Sequence, residues 1–219
     1  MERIPTDTHI RNLLDPVSPE EWRDEFRYLL AEVAESGHLS QWQVLDKRLA
    51  FSLDGVYYFT SQKISCPQCQ TKEMSEGSIL YTHSAITPLV VVPEGKHVLP
   101  YVPEFITPQD GAEKQDCELN AAKRWVEREQ ETLRHYRAIL LGDDLYSKQP
   151  LCEQIMTSQC DFIFVCHRDS HLALYALVDA VAGLGRLSTF SQRQWTGRHG
   201  EVWTYRYLND VPLRGGEEA

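Results

Sequence analysis

Leu49-Ala50-Phe51-Ser52-Leu53-Asp54-Gly55-Val56-Tyr57-Tyr58-Phe59 is an apolar run with one charge set in its middle. Its Leu, Val, Tyr and Phe content predicts an extended strand. A buried carboxylate without a partner is costly, so Asp54 inside a strand calls for a cation or a metal. The competing reading is an aspartate in a turn at a strand end. Gly55 beside it allows something to approach the backbone closely.

Upstream of this run, residues 18–36 predict one packing helix. Ser18 and Glu21 have capping-box spacing, Pro19 stands at the first helical position and Gly37 closes the end. Trp22, Phe26, Leu29, Leu30 and Val33 recur at helical spacing. Downstream, residues 78–87 and 89–92 read as two more strands. A long helix over 118–137 follows, then a short apolar strand at 138–141 that runs into Gly142-Asp143-Asp144. A helix over 148–158, a strand over 162–166 and a helix over 170–182 come next, and residues 186–207 read as a hairpin.

Three strands, then helix, strand, helix, strand, helix, predict an α/β fold with a mixed sheet flanked by helices. The order resembles the ribonuclease H fold, a three-stranded meander extended by two parallel strands. The chain divides into an N-terminal helical segment (1–45), a ribonuclease-H-like core (46–182) and the start of a β-rich insertion with the C-terminal hairpin (183–219).

Composition sets limits. The chain has no apolar run of membrane-spanning length, so no membrane partner is expected. Its first residues, Met1-Glu2-Arg3-Ile4-Pro5, lack the basic and apolar regions of a secretory signal, and the cytoplasm is the expected compartment. Of six cysteines only Cys66 and Cys69 are close together, which argues for reduced thiols rather than a disulfide framework. The net charge of −10 runs against nucleic-acid binding. Charge is uneven, however: residues 183–214 carry five arginines against Glu201 and Asp210.

Asp143 and Asp144 follow a strand, at the edge where α/β proteins place functional groups. Two adjacent acids point different ways. Asp143, directly after the strand, is the favoured ligand, and Asp144 is the alternative or a helix cap. If the strands of Asp54 and Asp143 are neighbours, the two carboxylates make half of a two-metal site for Mg²⁺ or Mn²⁺. Glu118 reads first as a helix-start charge and second as a substitute metal ligand.

Cys66-Pro67-Gln68-Cys69 is half of a zinc site, with His83 or Cys117 as further ligands; a plain turn and a redox pair are the alternatives. Arg168 follows the 162–166 strand, within reach of DNA phosphate or simply in a loop. Arg193, Arg198 and Arg206 interleave with Trp195, Trp203, Tyr205 and Tyr207 in a hairpin suited to gripping DNA or to packing on the core.

The run from Leu53 to Cys69, together with Ile4–Asp15, Lys114-Gln115-Asp116-Cys117-Glu118, Leu141-Gly142-Asp143-Asp144-Leu145-Tyr146 and Asp169-Ser170-His171, resembles blocks of bacterial insertion-sequence transposases of the DDE type (IS4-like). The resemblance spans nearly the whole chain, in order. It implies DNA transposition in the bacterial cytoplasm, with Asp54 and Asp143 as catalytic metal ligands. It also implies transposon-end DNA as partner, and a second copy or an intact transposase as protein partner. The family carries further sequence at both ends, including a helix with the third catalytic acid, so a chain truncated at both ends and inactive alone is expected. Glu217 and Glu218 match no catalytic block. A non-enzymatic DNA- or zinc-binding module, and a nuclease that recruits another acid, are the competing expectations.

Overall fold

The computed structural model describes residues 4–108, 117–197 and 199–211. Arg198, Lys114–Asp116, Glu217 and Glu218 lie outside the described residues.

In chain order the helices and strands open with α1 (Asp7–Leu14), α2 (Arg23–Glu35), β1 (Gln43–Val44), β2 (Arg48–Ser52), β3 (Gly55–Ser61), β4 (Gln70–Glu73) and β5 (Ile79–Ile86). They continue through β6 (Leu89–Val91), β7 (Leu99–Pro100), β8 (Glu104–Ile106), α3 (Glu118–Arg128) and α4 (Gln130–His135). The last are β9 (Ile139–Gly142), α5 (Gln149–Thr157), β10 (Asp161–Phe164), α6 (Leu172–Gly183), β11 (Ser188–Thr196) and β12 (His199–Tyr207).

The main sheet has the order β10-β9-β2-β6-β7, with β1 added on β2. β2 runs parallel to β9, and β9 parallel to β10, whereas β6 and β7 extend the sheet antiparallel. The fold is thus α/β with a mixed sheet. β2 sits at its centre, with Leu49, Ala50 and Phe51 all buried, as befits a strand covered on both faces. Phe51 packs against Tyr101 and Trp125 at ring-centroid distances of 5.4 and 6.0 Å, and Val90, Leu133, Leu140, Leu151 and Ile155 complete the core.

A second sheet, β3-β5-β4 with β8 on β5, holds the rest of the run around Asp54. The sequence reads 49–59 as one strand and 78–87 as part of the same meander. In the structure the chain leaves the main sheet after Ser52 and enters the second sheet at Gly55. Strand 79–86 goes with it, and the antiparallel part of the main sheet is built from β6 and β7 instead.

Two helices also differ from expectation. Residues 19–22 form a 3-10 turn before α2, with Ser18 Oγ accepting from the Glu20 amide, and Trp22 and Leu29 face solvent. The long helix over 118–137 breaks at Glu129, which is buried and whose carboxylate accepts from Arg27, Arg23 and Tyr101. Recruiting that side chain into the core bends the helix into α3 and α4. Glu104, equally buried, takes Arg23, Arg124 and Arg128. This network ties α2 to β8 and α3.

Leu174, Val178 and Val181 of α6 are half-exposed rather than core, and α6 has no buried residue. Among the described residues no helix is long and apolar enough to cross a membrane.

Candidate functional site

The parallel register of β2 and β9 pairs Ser52 with Leu141, and the Leu53 amide donates to the Leu141 carbonyl at 2.9 Å. Continuing that register sets Asp54 beside Asp143, both just past the C-terminal ends of neighbouring central strands. The Asp54 carbonyl accepts from the Thr87 amide at 2.9 Å, which fixes the backbone where the chain changes sheet. Asp54 is exposed. It therefore lies at the break and not inside a buried strand, and no buried partner is needed to hold it.

Asp143 is also exposed, and its Oδ1 accepts from the Leu145 amide at 2.9 Å, closing the turn after β9. Asp144 is committed elsewhere. It accepts from the His167 amide and the Ser170 hydroxyl, each at 2.6 Å, and approaches His171 Nε2 at 3.3 Å. The Ser170 hydroxyl and the His167 amide hold its carboxyl below the ordinary range. Asp144 pins the loop after β9 to the loop after β10, leaving Asp143 as the acid at the strand end.

Glu118 reaches the same corner from the first turn of α3. Buried Tyr146 donates its hydroxyl to Glu118 Oε1, and the Glu118 carboxylate lies against Gly55, where any Cβ would overlap it. Burial pushes the Tyr146 phenol up strongly, assisted by the hydrogen bond to Glu118 and by the charges of Glu118, Asp54 and Asp143. Glu118 thus contacts the phenol directly, while Asp54 and Asp143 act on it through their charge. The oxygens of the three acids do not draw together to within 4.8 Å of one another as a set. Gly142 allows the Tyr146 ring to lie over β9, since a Cβ there would meet Tyr146 Cδ2 at 2.7 Å.

A second cluster lies in the other sheet. Cys66 Sγ and Cys69 Sγ are 3.7 Å apart, and each is 3.3 Å from His83 Nε2. Among the described residues this is the one group whose ligand atoms all lie within 4.8 Å, and Cys117 is not part of it. Sequence reasoning could name His83 only as a candidate, because the β4–β5 register that sets Gln70 opposite Thr82, and so Cys69 close to His83, is not fixed by composition.

The cationic residues are scattered. Arg168 makes a two-pronged ion pair with Asp179, at 2.6 and 3.1 Å, and lies 4.6 Å from the Tyr175 ring centroid. In the hairpin, Phe190 stands opposite Tyr205, Gln192 opposite Trp203 and Ser188 opposite Tyr207. These aromatics share one face, while Arg193, Arg206 and Trp195 share the other. One face of the hairpin thus combines Arg193 and Arg206 with Trp195, and the other carries Trp203, Tyr205 and Tyr207.

No protein-family model matches the chain, and no curated protein matches it.

Proposed function

We propose that this chain is a ribonuclease-H-like transposase core of the DDE type, acting on DNA by metal-dependent phosphoryl transfer. The observation that carries the reading is the placement of Asp54 and Asp143 at the C-terminal edge of two adjacent parallel strands, β2 and β9, in the middle of the main sheet. The strand order β10-β9-β2-β6-β7, two parallel strands joined to three antiparallel ones, supports the ribonuclease-H-like assignment.

The residues at this corner suit Mg²⁺ or Mn²⁺. Asp54, Asp143 and Glu118 offer carboxylate oxygens, the donors that hard divalent cations take. Asp54 and Asp143 are solvent-facing, and Asp143 uses only one oxygen in its turn. A bound divalent ion supplies Lewis acidity at phosphorus and lowers the pKa of a coordinated water or hydroxyl. Asp54 and Asp143 contribute the negative charge that binds it. Asp144 contributes position, by locking the loop that carries Asp143.

A specific contact favours a second reading. The transposase resemblance expects its third acid in sequence beyond these blocks, whereas Glu118 already stands beside Gly55 in the grip of Tyr146. In this reading the chain is a nuclease of the same fold, with Glu118 completing the acid set.

A single assay separates the two. Nicking of a labelled DNA duplex is followed with Mg²⁺ and with Mn²⁺ for the wild type, Asp54→Ala, Asp143→Ala and Glu118→Gln. Both readings require the two aspartate variants to be inactive. Efficient nicking that is lost in Glu118→Gln supports the nuclease, whereas nicking that is weak at most and unchanged in Glu118→Gln supports the transposase core, whose third acid is expected outside these blocks. Nicking that survives in Asp54→Ala overturns both.

A further inference from the structure

The order β3-β5-β4 poses a topological problem that Cys66 and Cys69 solve. β3 and β4 pair with opposite edges of β5, and both run antiparallel to it. β3 ends opposite Tyr81 and β4 begins opposite Thr82, so residues 62–69 must carry the chain from one edge of β5 to the other at that level. Two inter-strand spacings, about 10 Å, have to be bridged. The crossing loop has little apolar anchorage: Ile64 is exposed, and so are Val56, Tyr57 and Tyr58 of the strand that feeds it.

What holds the loop is polar. The Ser61 hydroxyl accepts from the amides of Lys63 and Ile64, and the Cys69 amide donates to the Cys66 carbonyl at 3.1 Å. Cys66 and Cys69 then face His83, on the very strand the loop crosses. Both sulfurs are 3.3 Å from the same ring nitrogen, Nε2. One ring nitrogen has a single proton or a single lone pair, so it cannot serve two thiols equally as a hydrogen-bond partner. The sulfur–sulfur separation of 3.7 Å is far from a disulfide bond.

A tetrahedral ion comes close to all three distances. Zn–S bonds of about 2.3 Å and Zn–N bonds of about 2.0 Å put two sulfurs about 3.8 Å apart, and sulfur and nitrogen about 3.5 Å apart, at the tetrahedral angle. The observed 3.7 Å matches the sulfur pair, and 3.3 Å for the mixed pairs is slightly tighter. Two soft thiolates with an imidazole select zinc over Mg²⁺ or Ca²⁺.

We propose that Cys66, Cys69 and His83 bind a zinc ion that staples the 62–69 crossover loop to the face of β5. Three protein ligands fill three corners, and the fourth falls to water or a further donor. Tyr58 stacks on the His83 ring at 5.7 Å, and Gln68 and His83 line an adjacent cleft with Arg124 and Arg128. The zinc therefore shapes one wall of that cleft. The site uses none of the three acids at the end of β2 and β9.

The test uses the full chain, purified under reducing conditions. Elemental analysis is expected to return one zinc per chain. Replacement by Co²⁺ is expected to give thiolate-to-cobalt charge-transfer absorption and the intense visible bands of a tetrahedral ion. Cys69→Ser and His83→Ala should each weaken Co²⁺ binding by more than ~100-fold, since even loss of a residue supporting a ligand costs 10–100-fold. Cys117→Ser should leave the spectrum unchanged.

Should the ligand variants not fold, a thiol-reactive dye on the wild type reads the same site: two thiols become reactive when a chelator is added. Folded protein with neither zinc nor a cobalt spectrum overturns the proposal, as does a spectrum that persists in His83→Ala or a chelator that exposes no thiol. Asp54→Ala and Asp143→Ala should keep full zinc, so failure of the phosphoryl-transfer reading and failure of this one are distinguishable.

Discussion

Tyr146 and Glu118 meet across the place where the chain passes from one sheet to the other: the phenol, buried under Gly142, donates to a carboxylate lying against Gly55. The contact joins the turn after β9 to the first turn of α3. It sets a third acid at the corner that already holds Asp54 and Asp143.

That geometry predicts a pair of linked effects. Tyr146→Phe removes a hydrogen bond to a charged group and should cost about 1.5–3 kcal/mol, read from urea unfolding. Gly55→Ala drives a methyl group into the Glu118 carboxylate and should cost about 1–3 kcal/mol. In Glu118→Ala the same Gly55→Ala change should cost much less. Equal costs in the two backgrounds would show that the side chain yields without strain.

The network under α2 is a stability element. Glu129 has no exposed side-chain surface and accepts from Arg27 at 2.7 and 3.0 Å and from Tyr101 at 2.8 Å. Removing one partner of a buried pair leaves the other charge stranded, at about 3–5 kcal/mol. Glu129→Ala should lower the unfolding midpoint accordingly, whereas Glu20→Ala, at the solvent edge of the network, should change it by under ~1 kcal/mol.

Asp144 predicts a pH effect. Its folded carboxyl titrates below the ordinary 3.8 because Ser170 and His167 hydrogen-bond to the charged form. A depressed folded pKa gives stability that is present above the unfolded value and lost as pH falls through the folded one. The stability gap between wild type and Asp144→Asn should be constant from neutral pH down to about that unfolded value, then close on further acidification. Amide exchange at His167 should be faster in the variant at neutral pH. A gap that grows below pH 3.8 would contradict the assignment.

Much of this was legible in the residues, and the losses have physical causes. The strand ending before Asp143 and the hairpin at 186–207 declare themselves through local apolar patterning and turn chemistry. The run at 49–59 does not reveal that it serves two sheets, because a strand that changes partners keeps the same β-prone composition on both sides of the break. Only Asp54-Gly55 hints at it. The helix break at Glu129 was hidden because a buried glutamate looks like a surface one until its arginines, some hundred residues away, are in place. Glu118 was legible as a helix-start charge. Its approach to Gly55 depends on how α3 docks on β5 and β8, which local pattern does not encode.

Metal-dependent phosphoryl transfer by this chain requires a divalent ion at Asp54 and Asp143. Mn²⁺ binding to the full chain, followed by water-proton relaxation with zinc already supplied to saturate the thiols, measures it directly. The predicted result is one saturable Mn²⁺ site that is lost in Asp54→Ala and in Asp143→Ala, and retained in Asp144→Asn. A wild-type chain that binds no Mn²⁺, or one whose Mn²⁺ binding is unchanged by Asp54→Ala, would contradict the metal-dependent phosphoryl-transfer reading.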